Sequence, residues 1–256
     1  MNYVTSLAFL CPAIFLASFV DAVSGGGGLL SLPAFIFTGM PVHNAYGCNK
    51  FSCSISTCMS SYRYFKSGMI DKKVALTTGI ITFICSICAS HIVLSLPDKP
   101  LKLMILFSMP FVAALILFNK KYPEVDRSSE LSPGRKLLFC ALTGILMGFY
   151  DGLLGPGSGT LAIILYTKFF KYDLKMASGN AKTAVLASTL AASLSYILAG
   201  KVLWGIAVPV TLCGMLGGYM GAGMAIKKGS RFIRPMMLFI AFLLIIKMIL
   251  DMSGIL

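Results

Sequence analysis

The composition excludes an ordinary soluble domain. Of the 256 residues, 57% are hydrophobic and 12% are charged, whereas soluble domains carry about 25% charged residues. The net charge of +13 does not indicate nucleic-acid binding, because the basic residues lie in short loops between apolar runs and not on one soluble face. These runs are too long and too unpatterned for β-barrel strands, so the chain is predicted to be an all-α integral membrane protein.

Ten helical elements are predicted, in two sets of five. The first set is 3–23, 29–38, 44–65, 74–96 and 101–119; the second is 136–150, 160–170, 174–200, 202–226 and 232–251. We expect about eight to ten transmembrane helices. The elements 29–38 and 160–170 are broken or re-entrant, since ten residues extend only about 15 Å, or half a membrane. This division predicts a first membrane repeat at 1–119, a cytoplasmic linker at 120–135 and a second membrane repeat at 136–256.

Two glycine-rich stretches with a common plan interrupt the apolar pattern. Each begins four residues after an aspartate, Asp21 or Asp151, and is followed further along the chain by a lysine, Lys50 or Lys182. The stretches contain Gly25, Gly26, Gly27 and Gly28 in the first half, and Gly155, Gly157, Ser158, Gly159 and Thr160 in the second. Because glycine is a poor helix former, each stretch should end one helix before the next begins.

The basic residues predict the orientation. With the N-terminus outside, sixteen lysines and arginines lie in inside loops and four lie outside, as the positive-inside rule requires. Five elements per half then place both termini outside and invert the second half relative to the first. Inverted repeats with interrupted helices are typical of transporters that bind substrate near the midplane.

The glycine stretches predict an anion site. A half-helix that begins inside the bilayer presents free N–H groups and the positive end of its dipole. Glycine lets a substrate approach the backbone, and Ser158 and Thr160 can add hydroxyl donors. The alternative is that the glycines serve close helix packing.

Lys50 and Lys182 are predicted to approach the middle of the bilayer, where an ionisable group is a functional candidate by default. Asn49 and Asn180 can bond substrate oxygens beside them. Alternatively, each lysine pairs with Asp21 or Asp151 as a structural counter-charge. The two aspartates either titrate during transport or simply hold the glycine loops, and the second role is favoured because carboxylates repel an anion.

No metal or cofactor is expected. Cys85 and Cys88 have the spacing of a redox or zinc pair but fall inside an uncharged run without a second pair of ligands. His43 and His91 stand apart from other ligand types and are interpreted as surface or packing residues.

The chain resembles the sulfite exporter TauE/SafE family, and in particular its YfcA-like branch. The resemblance is carried by the glycine-rich loop with Pro33, the Asn49-Lys50 pair, the run from Ala177 to Lys182 and the run from Lys228 to Met237. It implies a prokaryotic inner-membrane transporter that exports small sulfur-containing anions such as sulfite or organosulfonates.

Three functions are compared. The leading hypothesis is a secondary transporter of a small anion, embedded in the bilayer and working by alternating access. An intramembrane serine hydrolase built on Ser158 needs a nearby base, and only His43 and His91 are available. A passive anion channel is the third hypothesis, because channels also tolerate broken helices along a polar path.

Overall fold

The computed structural model describes residues 2–101, 103–104, 110, 112, 114–115, 122–123 and 125–252. Within these ranges the long regular elements are nine α-helices. They are α1 (Tyr3–Ser24), α2 (Gly28–Phe37), α3 (Val42–Lys66), α4 (Lys72–Ser95), α5 (Pro133–Leu153), α6 (Ser158–Phe170), α7 (Leu174–Leu198), α8 (Trp204–Lys228) and α9 (Ser230–Met252). The predicted element 101–119 lies largely outside the described residues.

The all-helical membrane class is confirmed. Among the described residues, five helices, α1, α4, α5, α7 and α8, are long and apolar enough to cross a bilayer. The helix α3 is equally long, but serines and Lys50 lower its hydropathy, and most of that polar face is buried. It is therefore a helix of the protein interior and not a lipid-facing one.

Both predicted interruptions are present. The helix α1 ends at Ser24, the following Gly25 has φ +77°, and α2 begins at Gly28. The helix α5 ends at Leu153, after which Gly155 and Gly157 adopt φ +84° and +78° before α6 begins. Positive φ is unstrained only for glycine, so these breaks follow directly from the sequence.

The bundle is organised around α3 and α7, which contact each other. The helix α8 packs against both α1 and α3, while α4 packs against both α5 and α7. Glycines allow the close approach: Gly217 on α8 lies against the Phe15 carbonyl, and Gly148 on α5 lies against Thr82 and Cys85. The contacts of α8 with α1 and α3 correspond to the contacts of α4 with α5 and α7 when the two halves of the chain are interchanged. The division into five elements per half stays a prediction.

The residues before α5 contact the loop between α6 and α7. Lys171 Nζ lies 2.8 Å from Glu130 Oε2, and the ammonium holds the pKa of that carboxyl below its ordinary value. The neighbouring Tyr172 hydroxyl donates to Asp71 Oδ2 at 3.0 Å, and burial raises the Tyr172 pKa. Asp71 also caps α4 by accepting from Lys73 N and Val74 N. These bonds join the loop after α6 to the start of α4.

Candidate functional site

The two helix breaks lie against each other. Thr160 N donates to the Gly25 carbonyl at 3.2 Å, and Thr160 Oγ1 donates to the Ser24 carbonyl at 2.8 Å. A Cβ on Gly159 would lie 2.5 Å from Gly25 Cα, so neither glycine can carry a side chain without movement of the other loop. The first turns of α2 and α6 therefore begin close together inside the protein.

A buried cavity of about 20 Å³ lies at this point, which is room for roughly one water molecule. Its lining comes from six helices and the second glycine loop. The residues are Asp21, Gly28, Asn49, Lys50, Cys53, Thr57, Asp151, Gly155, Ser158, Val185 and Thr189. Seven of these are predicted site residues, so the fold brings the two breaks, both aspartates and one lysine to a single small cavity.

Each lysine is paired with the aspartate of the other half of the chain. Lys50 Nζ lies 3.0 Å from Asp151 Oδ2 and also donates to the Asp151 carbonyl at 2.5 Å. Lys182 Nζ donates to Asp21 Oδ2 at 2.6 Å. Both ammonium groups are buried, with side-chain exposures of 3% and 0%. In this conformation each lysine is therefore the counter-charge of an aspartate, as in the structural alternative given above. Three of the four charged groups, Asp21, Lys50 and Asp151, line the cavity.

The starts of α2 and α6 carry no side-chain cap. Their N-cap residues are Gly27 and Gly157, which have no side-chain acceptor for the first N–H groups. Loop carbonyls accept from several first-turn N–H groups instead, among them Leu29 N, Ser158 N and Thr160 N. Both helix starts, with the partial positive charge of a helix N-terminus, lie beside Lys50 in the cavity lining.

The remaining predicted site residues lie outside the cavity lining. Gly26 packs against Ile240, Gly27 against the Ala17 carbonyl and Gly157 against Val112. The packing interpretation of these glycines matches these contacts. The contact between the two breaks is formed by Gly25, Gly159 and Thr160. Lys182 lies outside the lining and donates to Asp21 Oδ2.

Asn180 is not the counterpart of Asn49 in space. Its Oδ1 accepts from Asp71 N at 3.2 Å, and its Nδ2 donates to the Met176 carbonyl at 2.8 Å. Asn49 precedes Lys50 by one residue, whereas Asn180 precedes Lys182 by two. One residue turns the side chain by about 100° around a helix, which carries Asn180 away from the cavity and toward the start of α4.

Four lining residues were missed by sequence reasoning: Cys53, Thr57, Val185 and Thr189. They follow the two lysines at the same spacings, three and seven residues later on α3 and on α7. Those spacings put a residue on the same face of a helix as the lysine. Helical periodicity counted from Lys50 and Lys182 is therefore the signal that would have found them.

The arrangement brings neither histidine to Ser158. His43 Nε2 lies 3.1 Å from the Leu96 carbonyl and 3.4 Å from Asp98 Oδ1, and His91 is exposed. Neither histidine lines the cavity that Ser158 faces. Among the described residues, no group of three His, Cys, Asp or Glu side chains is placed to hold a metal ion.

Comparison with known proteins gives matches over nearly the whole chain. A family model described as Sulfite exporter TauE/SafE matches residues 10–248. A probable membrane transporter protein of Haemophilus influenzae is 32% identical over 245 residues, which cover 96% of this chain and 95% of that protein. The probable membrane transporter protein YfcA of Escherichia coli K12 is 29% identical over 242 residues, covering 93% of this chain and 88% of that protein. No solved structure matches significantly.

Proposed function

The chain belongs to the sulfite exporter TauE/SafE family, and on that premise we propose that it carries small sulfur-containing anions, such as sulfite or organosulfonates, by alternating access. Membership makes it a multi-pass membrane transporter and not an enzyme, as the sequence predicted. The relatives are named only as probable membrane transporters, so the anion and the mechanism are our proposal. We place it in the cytoplasmic membrane with both termini outside.

One observation carries the proposal: two uncapped short helices begin at one buried cavity that also contains a lysine ammonium. The helices α2 and α6 have ten and thirteen residues, or about 15 and 20 Å at 1.5 Å per residue. Neither is long enough to cross a bilayer, so their N-termini are expected near its middle. Helix N-termini at that depth favour an anion.

The anion must compete with the aspartates for the lysines. Lys50 and Lys182 are paired with Asp151 and Asp21 in this conformation. A sulfite or sulfonate group offers three oxygens and can replace a carboxylate as the partner of an ammonium. We therefore assign the two lysines as substrate ligands in the loaded state and as ion-pair partners in the closed state.

The small cavity favours a carrier over an open channel. A space of about 20 Å³ holds roughly one water and is enclosed by residues from both halves. Loading requires the contact between Gly25 and Thr160 to open on one side at a time, which is alternating access between the proposed halves, 1–119 and 136–256. The linker 120–135 would join them without entering the site.

Flux measurements on proteoliposomes test the proposal. We expect saturable uptake of labelled sulfite or sulfonate, with counterflow when unlabelled anion is trapped inside. Lys50→Ala and Lys182→Ala should each abolish it, because each removes a ligand and leaves a buried carboxylate uncompensated. Lys168→Ala, at an exposed position on α6, is the matched control and should retain flux. Unchanged flux in both lysine variants would exclude the assigned site, and flux without saturation or counterflow would favour a channel.

A further inference from the structure

The two crosswise ion pairs are not equivalent. Asp21 Oδ2 accepts a 2.6 Å hydrogen bond from Lys182. Asp151 Oδ2 lies 3.0 Å from Lys50 Nζ but accepts no aligned hydrogen bond from any described residue; Lys50 Nζ also donates to the Asp151 carbonyl at 2.5 Å. Asp151 is 2% exposed and lines the cavity. Among the described residues this buried oxygen is therefore held by the ion pair alone.

Lys50 of α3 is the cation within ion-pair distance of Asp151. Tyr46 and Cys53 of α3, Tyr150 of the same helix and Ser158 of α6 lie near the carboxylate. The hydroxyls of Tyr46 and Tyr150 donate to the Leu154 and Pro156 carbonyls. Asp21 of α1 lines the same cavity and is paired with Lys182 of α7, while Ser86 and Ala89 of α4 approach the neighbouring Gly152. Among these groups, Lys50 alone is paired with Asp151.

The formal charges in the site sum to zero, from two lysines and two aspartates. Adding a monovalent anion alone would leave one buried negative charge uncompensated, which is strongly unfavourable inside a membrane protein. A proton added to Asp151 removes that charge, supplies a donor on the unbonded oxygen and releases Lys50. The site is then neutral, because the two lysines balance Asp21 and the anion.

We propose that Asp151 is the coupling carboxylate of this transporter: it takes up one proton as Lys50 passes to the anion, so that one proton and one monovalent anion cross together. The inference rests on the proposed function and assigns its driving ion. The proton comes from the solution that supplies the anion and leaves with it on the other side, when Lys50 returns to Asp151. Asp21 stays ionised near Lys182 and does not carry the proton.

Coupling of this kind is electroneutral. Transport responds to a pH difference and not to the membrane potential. A difference of one pH unit, or about 1.36 kcal/mol, supports about a tenfold anion gradient. With an acidic exterior, net export therefore occurs only when the anion accumulates inside beyond that ratio.

The test uses the full chain in proteoliposomes with the potential clamped at zero. The probe is labelled methanesulfonate, which is fully ionised and brings no proton of its own, and a trapped dye reports the pH of the lumen. With the outside about one pH unit more acidic, we expect accumulation approaching tenfold, with luminal acidification in step with sulfonate entry. Sulfonate entry without a change in luminal pH, or entry driven by a sodium gradient instead, would overturn the proton coupling. The proposed transport function would not be affected by either result. No sulfonate flux in the unaltered protein would refute the proposed function itself.

Variants assign the proton to one carboxyl group. Asp151→Asn should keep counterflow exchange but lose pH-driven accumulation, and Asp151→Glu should recover it. Asp173→Asn is the matched control, because Asp173 caps α7 and asparagine caps equally well. Retained pH-driven accumulation in Asp151→Asn would overturn the assignment. If Asp151→Asn does not fold, the dye measurement on the unaltered chain and the Glu variant decide the question.

Discussion

Replacing Gly159 with alanine tests whether the contact between the two helix breaks holds the site together. The new Cβ would lie 2.5 Å from Gly25 Cα and 2.7 Å from Gly25 O, whereas carbon contacts are optimal at about 3.5–4.0 Å. Both neighbours are backbone atoms, so relief requires the loops to separate. Separation also stretches the two bonds that Thr160 donates to Gly25 and Ser24.

The magnitude follows from three terms. Overpacking costs about 1–3 kcal/mol, and two hydrogen bonds inside a membrane protein are worth about 0.6 kcal/mol each. Alanine in place of glycine within a helix returns about 0.5–1 kcal/mol. The net loss is about 2 kcal/mol, or roughly 4–8 °C in the melting temperature of a chain of this size.

The assay is thermal unfolding of purified protein in detergent at one fixed scan rate, since unfolding of such proteins is often irreversible. Gly134→Ala is the control: Gly134 lies in the first turn of α5, and a Cβ added there would meet no atom within 4 Å among the described residues. It should unfold at or slightly above the temperature of the unaltered protein. The reasoning is refuted if Gly159→Ala and Gly134→Ala unfold at the same temperature.

Two further predictions concern the loops outside the bilayer. Tyr172→Phe removes the hydroxyl that donates to Asp71 Oδ2 and should lower stability by about 0.5–1.5 kcal/mol; an unchanged melting temperature would contradict a role for this bond. The pKa of Glu130 is lowered beside Lys171. Their pairing therefore stabilises the folded protein at pH values above the unfolded-state pKa of about 4.3. This stabilisation is lost as the pH falls through the lower folded-state pKa. Glu130→Gln should therefore unfold slightly earlier than the unaltered protein at neutral pH and together with it in acid, the effect being small because the pair is exposed; equal deficits at both pH values would argue against an ionic origin.

Much of the fold was predictable because it depends on local properties of the chain. Apolar length and composition set the helices, and glycine sets the breaks, so the predicted starts at 29 and 160 fall within two residues of the observed starts at Gly28 and Ser158. The depth of Lys50 and Lys182 also follows from counting residues along a helix. The structure buries both side chains inside the protein, with exposures of 3% and 0%, while their depth in the bilayer stays a prediction.

Other features depend on which helices become neighbours. Cys53 and Val185 share a helix face with the lysines, but only the packing of α3 against α7 turns that face toward a cavity. Asn180 bonds to Asp71 because it lies one residue further from its lysine than Asn49 does and so faces another side of its helix. Aligning the repeats shows this offset, but only the packed helices show which neighbour the side chain meets.

The amino-acid sequence by itself determined the membrane class, the helices, the two breaks and the four charged residues of the site. Tertiary structure alone decided that Lys50 meets Asp151 and Lys182 meets Asp21, and that Asp151 Oδ2 is buried without an aligned hydrogen bond from the described residues. The physical reason is distance along the chain. These partners are separated by 101 and 161 residues, so their pairing and its geometry are set by the packing of the whole bundle and not by local preference.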